Sequence, residues 1–369
     1  MRLLSLEVQN YRNIRAARLE PGRELTVICG NNGQGKTNLL EAIWLLTGGK
    51  SFRGGKDAEL VRRGEAFAVL EADTQRDRPE GCEPAEPAHI RMTVGTPEAA
   101  KPGRYAAVNG AAPKRAAALA GSFPAVVFDP GHLSLVKGSP EGRRRFLDAA
   151  LCQLYPGYVT LLRRYSRLVT QKNALLKSYW QTPDANGLLD VFDEKLAESG
   201  AAVSAKRQEY LALIEPEITG TYRDIASGSE TLAIQYEPSF EPEKGLAPVL
   251  RESRARDIAA GFCTAGPHRE DFSISVDGVD IRKYGSQGQQ RSAVLSLKLA
   301  EAAGAQKITG EHPVMLLDDV LSELDETRQS YLLSRMEHRQ TIVTACDPDL
   351  FRRTSGRVYR MEGGILHAL

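Results

Sequence analysis

The stretch Gly30-Asn31-Asn32-Gly33-Gln34-Gly35-Lys36-Thr37 fits the spacing GxxxxGK[ST]. Before it stands Leu25-Thr26-Val27-Ile28-Cys29, a short run of strand character. After it, apolar residues from Thr37 to Leu46 recur at helical spacing. Strand, glycine-rich turn and helix in that order make a phosphate cradle. Glycines let successive backbone N–H groups turn inward, and the helix N-terminus adds its dipole. The spacing gives Gly30, Asn31, Asn32, Gly33, Gln34, Gly35 and Asn38 to the cradle. Lys36 goes to the β- and γ-phosphates of a nucleotide, and the Thr37 hydroxyl to Mg²⁺. The plain alternative is a glycine-rich turn with a solvated lysine.

A second stretch completes the chemistry. Val314-Met315-Leu316-Leu317-Asp318-Asp319 reads as a buried strand ending in two carboxylates. Asp318 is placed to hold Mg²⁺, and Asp319 to orient or deprotonate an attacking water. The competing reading is an acidic cap on the helix that follows. Tyr284-Gly285-Ser286-Gln287-Gly288-Gln289-Gln290-Arg291 precedes the helical stretch 292–303. A serine hydroxyl with glycine amides at a helix N-terminus can receive a γ-phosphate, or can simply cap the helix.

The chain has 369 residues, 42% of them hydrophobic and 26% charged, which excludes a disordered or fibrous protein. Lys+Arg 48 against Asp+Glu 47 leaves a net charge of +1, so any nucleic-acid surface must be a local patch. No apolar run approaches the roughly 20 residues of a spanning helix, and no secretory signal is visible, so a cytoplasmic protein without a membrane partner is expected. The five cysteines form no CxxC pair, which suits neither a disulfide framework nor zinc.

Strand-like segments lie at both ends of the chain: 3–8, 25–29 and 125–128, then 272–276, 313–317 and 340–343. Pro79, Pro84, Pro87, Pro97 and Pro102 suggest a surface hairpin with a long mobile tip over 73–104. Val108-Asn109-Gly110 reads as a hairpin turn. From 138 to 261 the texture is helical, with 3-4 repeats over 162–179 and 189–213 that predict an antiparallel pair forming a stubby arm. Residues 137–180 carry nine Lys/Arg against two acids, whereas 181–250 carry thirteen acids against five bases. The expected architecture is a mixed α/β domain formed by 1–130 and 263–369, with a helical domain inserted over 131–262.

Ser286-Gln287-Gly288-Gln289, placed ahead of Asp318-Asp319 and Leu321-Ser322-Glu323-Leu324-Asp325, resembles the signature, Walker B and D-loop order of ABC-type ATPases. Asn10-Tyr11-Arg12-Asn13, Phe128-Asp129-Pro130 with 133–138, Arg144-Arg145-Phe146-Leu147-Asp148 and Gly266-Pro267-His268-Arg269 extend the likeness end to end. Together they resemble the RecF family, related to SMC and Rad50 heads. The resemblance implies an ABC-type P-loop head with an inserted helical lever arm. It implies that Ser286, Gly288 and Gln289 serve the nucleotide of a second copy in an ATP-dependent homodimer. It also implies DNA binding, work with RecO and RecR in loading recombinase at single-strand gaps, and support of SOS induction.

Arg143, Arg144 and Arg145, the 163/164/167 face, and Arg12, Arg15 and Arg18 are the candidate DNA contacts. Pairing of the basic and acidic halves of the arm is the structural alternative. The transporter switch histidine is replaced by Thr344-Ala345, and Asp319 stands where most ABC proteins have Glu, so hydrolysis is expected to be slow. A transporter ATP-binding subunit is the competing function, and the long helical insert argues against it.

Overall fold

The computed structural model describes residues 1–77, 83, 85–346 and 356–369. A hairpin of β1 (Arg2–Tyr11) and β2 (Ile14–Leu19) opens the chain, and β3 (Leu25–Cys29) then crosses to a different sheet and delivers its loop to α1 (Lys36–Leu45). β4 (Phe67–Gln75), β5 (Ala88–Gly95), β6 (Gly103–Val108) and β7 (Lys114–Arg115) complete an antiparallel sheet of order β2-β1-β4-β5-β6-β7. The expected single hairpin over 73–104 is two successive connections, because β5 lies inside it and Pro97 and Pro102 belong to the second. The long tip expected there falls largely on 78–82 and 84, outside the described residues. Asn109 and Gly110 hold φ of 49° and 72°, the left-handed pair that the turn requires.

The second six-stranded sheet draws on both ends of the chain. β8 (Ala125–Phe128) is followed by α2 (Ser134–Lys137), α3 (Pro140–Leu154), α4 (Tyr158–Lys177), α5 (Ala185–Ile225), β9 (Leu232–Glu237) and α6 (Leu246–Ala260). Then come β10 (Asp271–Val276), β11 (Val279–Asp280), α7 (Ile281–Tyr284), α8 (Gln287–Thr309), β12 (Val314–Asp318), α9 (Glu326–Ser334), β13 (Thr341–Ala345), β14 (Arg357–Glu362) and β15 (Ile365–Ala368). The order is β15-β14-β3-β13-β12-β8, parallel except for the last hairpin. β12 shows why the sheet is buried on both faces. Val314 and Leu316 join α1 and β1 in one core, while Met315 and Leu317 join Leu295 and Leu299 of α8 in another. The layers therefore run from the antiparallel sheet through α1 and the parallel sheet to α8.

The arm differs from expectation in two ways. α5 is one helix of 41 residues, about 60 Å at 1.5 Å per residue, and it passes through Pro216 where the sequence periodicity ends. Burial of Ile214, Ile218, Thr221 and Tyr222 outweighs the hydrogen bond that proline removes. The helix also has a close partner. A Cβ at Gly304 of α8 would stand 2.6 Å from Ile214, so only glycine lets the two helices approach there. Second, β9 interrupts the helical texture. It pairs with β10 in a small sheet of order β11-β10-β9, which draws residues from both sides of position 262.

Candidate nucleotide site

The loop from 30 to 37 is shaped by what surrounds it. Gly30, Gly33 and Gly35 have φ of 148°, 79° and 115°. A Cβ at Gly30 would meet the Met361 carbonyl at 2.4 Å, whereas one at Gly33 would meet nothing within 4 Å, so Gly33 faces open space. The turn between β14 and β15 clasps the loop, since Gly363 N–H donates to Gln34 Oε1 at 2.6 Å and Gly364 N–H to Gln34 O at 3.0 Å. Asn13 closes another side, donating to Gly33 O at 3.3 Å and accepting from Asn38 at 2.8 Å. Lys36 is buried, and its ammonium donates to Gly30 O and Asn31 O at 2.5 and 3.0 Å. An ammonium beside a glycine turn that is open at Gly33 and leads into the N-terminus of α1 fits a bound phosphate.

The acidic strand reaches this loop. Thr37 Oγ1 donates to Asp318 Oδ1 at 2.9 Å, and Thr344 Oγ1 donates to the same oxygen at 2.8 Å. Burial pushes the Asp318 carboxyl up, the two hydroxyls pull it down, and Asp319 adds to the rise; the net direction is upward. A hydroxyl and a carboxylate oxygen in contact at a helix N-terminus are the hard donors that suit Mg²⁺. Asp319 follows in the left-handed region at φ 52°, anchored by its N–H on Thr344 Oγ1 at 3.0 Å. Thr344 thus holds the Asp318 carboxylate and the Asp319 backbone from the end of β13, where sequence reasoning marked only the lack of a histidine.

Two more residues stand at this mouth without having been singled out. Arg53 donates to Asn38 Oδ1 at 2.5 Å, and its charge helps lower both Asp318 and Asp129. The exposed Cys346 thiol lies 3.1 Å from Asn32 Oδ1 and 3.6 Å from Lys36 Nζ. Neither sits in a spacing motif; only the fold brings them to the loop.

The signature segment is elsewhere. Ser286 caps α8, its Oγ accepting from Gln289 N–H at 3.1 Å while Gln289 Oε1 accepts from Ser286 N–H at 2.9 Å. The cap reading of this stretch therefore holds, and the serine hydroxyl is exposed. Gln289 also donates to Glu230 at 3.0 Å. Among the described residues, no hydrogen bond or ion pair joins Ser286–Gln289 to the loop 30–37.

The family described as RecF/RecN/SMC N terminal domain matches residues 2–364. The chain is 40% identical to the "DNA replication and repair protein RecF" of Agathobacter rectalis over 95% of this chain and 94% of that one. With the protein of the same description from Heliobacterium modesticaldum it is 38% identical over 99% of both. This chain belongs to the RecF family. A solved structure of "the recombination mediator protein RecF-ATPrS in RecFOR pathway" superposes with a TM-score of 0.90 at 34% identity, covering 100% of this chain and 98% of that one. A second, of RecF-ATP, gives 0.89 at the same identity. The "SmcHead bound to the C-winged helix domain of ScpA" shares the fold alone, at 14% identity and a TM-score of 0.55. The fold is that of the ABC-type ATPase head. No helix among the described residues is long and apolar enough to cross a membrane.

In this RecF-family fold the arginine candidates separate. Arg143 is buried, forking onto Asp271 at 2.7 Å through two nitrogens and donating to the carbonyls of Leu135 and Gly138. It braces α3 against β10 and has no face left for DNA. Arg12 is likewise spent, on the buried Glu41 at 2.8 Å through two nitrogens. Burial opposes ionisation of Glu41, but the bonds from Arg12 and Ser51 win and hold its carboxyl low. Both were expected at the DNA, and both are structural ion pairs instead. Arg144 donates to Glu270 O at 2.8 Å and is half-buried. Arg145 is exposed and pairs with Glu141; Arg15, Arg163 and Arg167 are exposed, and Arg164 reaches Glu198 across the arm at 3.0 Å. His268 is structural too. It accepts from Tyr165 OH and donates to Cys263 O, and burial pushes its pKa down to about 4.

Proposed function

We propose that this chain is a DNA-binding ABC-type ATPase of recombinational repair and replication, switched between single and paired states by ATP. The single observation that carries the reading is the separation of two half-sites. Thr37 and Asp318 meet at 2.9 Å within one chain, while Ser286 is exposed at the start of another helix with no bond to that loop. One copy then supplies Gly30–Asn38 to a triphosphate, and a second copy supplies Ser286, Gly288 and Gln289 to the same molecule.

In this mechanism Lys36 leaves its carbonyl partners for the β- and γ-phosphates. Thr37 and Asp318 would hold Mg²⁺, which neutralises charge on those phosphates when bound. Asp319, fixed by Thr344, orients the water for attack on the γ-phosphate and takes its proton. Loss of that phosphate removes the group shared by two copies, so the pair opens. Because the side chain of Asp319 is one methylene shorter than that of glutamate, turnover is slow and serves as a timer. DNA lies across the paired heads and arms, held through phosphates by exposed cations such as Arg15, Arg145, Arg163 and Arg167. Family membership supports, as part of this proposal, work with RecO and RecR at gapped DNA and a part in SOS induction.

Sedimentation of the purified chain with ATP, with ADP and with no nucleotide tests the switch, repeated with gapped DNA. Mass should double with ATP alone and return on hydrolysis. Equal mass in all three states would end the reading.

A further inference from the structure

The first turn of α8 is gripped by an arginine to which the function so far gives no role. Arg328 belongs to the first turn of α9, whose cap is Asp325. Its guanidinium spends every nitrogen. Nε donates to Ser292 Oγ at 2.9 Å, Nη2 to Gly288 O at 3.1 Å, and Nη1 pairs with Asp325. Its own backbone N–H donates to Asp325 Oδ1 at 3.0 Å. The side chain is 21% exposed, so these are partly desolvated, charge-assisted bonds.

The segment that carries Arg328 is braced back to the acidic pair. Ser322 Oγ donates to Asp319 O at 2.7 Å, and Gln329 Nε2 donates to Leu321 O and Leu324 O at 2.7 and 2.9 Å. The chain from Asp319 to Gln329 is therefore a bonded unit whose near end is the hydrolytic carboxylate and whose far end holds Gly288, two residues from Ser286. The other contact between these segments, Arg291 with Glu323 at 3.3 Å, is between half-exposed groups and contributes little. On its opposite side, α8 is held by Gln289 on Glu230, whose second oxygen accepts from Tyr222 of α5 at 2.6 Å.

We propose that Arg328 is the positioning residue that couples the two nucleotide sites of a pair, by moving the Ser286 segment with the Asp319–Asp325 segment of the same chain. This rests on the paired reading above, in which Ser286 serves the nucleotide held by the other copy. A shift at Asp319 on the loss of one γ-phosphate then displaces the serine that touches the second. The guanidinium suits this because its fork fixes three partners in one plane, which a lysine cannot do.

The test uses full-length Arg328→Lys, Arg328→Ala and Ser292→Ala chains. Binding of a fluorescent ATP analogue at concentrations where the chain is single should match wild type in all three. The ATP-dependent dimer should weaken in Arg328→Ala by about tenfold to a hundredfold, the cost of lost bonds to a charged group. The dependence of hydrolysis on ATP concentration should lose its cooperativity. Arg328→Lys should fall between, with melting temperature close to wild type. Unchanged dimer affinity and cooperativity in Arg328→Ala would overturn the proposal, as would a lowered melting temperature with both retained. If wild type itself fails to pair with ATP, the paired reading falls, and amide exchange over 286–292 still decides the coupling. An ATP-induced change there that is present in wild type and absent in Arg328→Ala supports it; the same change in both removes it.

Discussion

The loop at 30–37 and the turn at 284–289 are both glycine-bearing helix starts, yet their surroundings are opposite. The first is enclosed by its own chain, with Asn13, Met361, Gly363, Gly364, Thr344 and Asp318 all set around it. The second is exposed and satisfied mainly by its own capping box, with Arg328 and Glu230 holding it from behind. One is a finished receptor; the other is a finished surface. On the paired reading proposed above, a site divided in this way makes the nucleotide a report on whether a second molecule is present.

The largest effect that would sharpen this contrast is loss of the enclosed half. Lys36→Ala should weaken ATP binding by a hundredfold or more, on the order of 3 kcal/mol, as titration with labelled nucleotide would read. Ser286→Arg should leave that single-chain affinity within about twofold and abolish pairing with ATP. If both variants lose nucleotide equally, the two regions are not separate.

Of comparable size is the effect on stability of Arg143→Ala. It leaves Asp271 without its partner in a mostly buried pair and should cost about 3–5 kcal/mol in denaturant unfolding. Reversing Arg163 and Arg167 to Glu should instead leave unfolding unchanged and weaken DNA binding, with the salt slope reduced by about 2. A normal fold in the first variant, or an unchanged slope in the second, would reverse the sorting of braces from contacts.

A subtler test concerns Asp318. Its carboxyl is raised, so the folded chain holds that proton more tightly than the unfolded one, and the ionised form is a burden in the chain free of Mg²⁺ and nucleotide. Stability from this group is present at low pH and lost as pH rises through the raised value. Asp318→Asn should therefore melt no lower than wild type at pH 8, with its advantage shrinking as pH falls, while hydrolysis is lost. A lower melting temperature at pH 8 would refute the sign. The smallest effect is at Cys346: ATP should slow its alkylation severalfold, read by mass spectrometry of that peptide. Equal rates with and without ATP would place the thiol outside the site.

The cradle, the acidic strand and β8 were legible because each is local: a spacing, a short apolar run and its punctuation. The roles of Arg143 and Arg12 were not, because a basic residue has the same letter whether it faces solvent or a carboxylate 128 positions away, as Arg143 faces Asp271. Thr344 and Arg53 were missed for the same reason, since only the sheet order and the α1 packing bring them to Asp318. β9 was legible in part, with Leu232, Ile234 and Tyr236 inward and Ala233, Gln235 and Glu237 outward, but it follows a long helical segment whose texture masked it. Pro216 lies inside α5, because the surface buried by that helix overrides a local breaker.

The clasp of Gln34 by Gly363 and Gly364 spans 329 positions for the first of these bonds, and β3 itself lies between β13 and β14, both late in the chain. A nascent polypeptide emerging from the ribosome carries the phosphate loop early but cannot set its shape until translation is nearly over. Truncated products of this gene that lack this turn would thus be blind to nucleotide on the proposed reading.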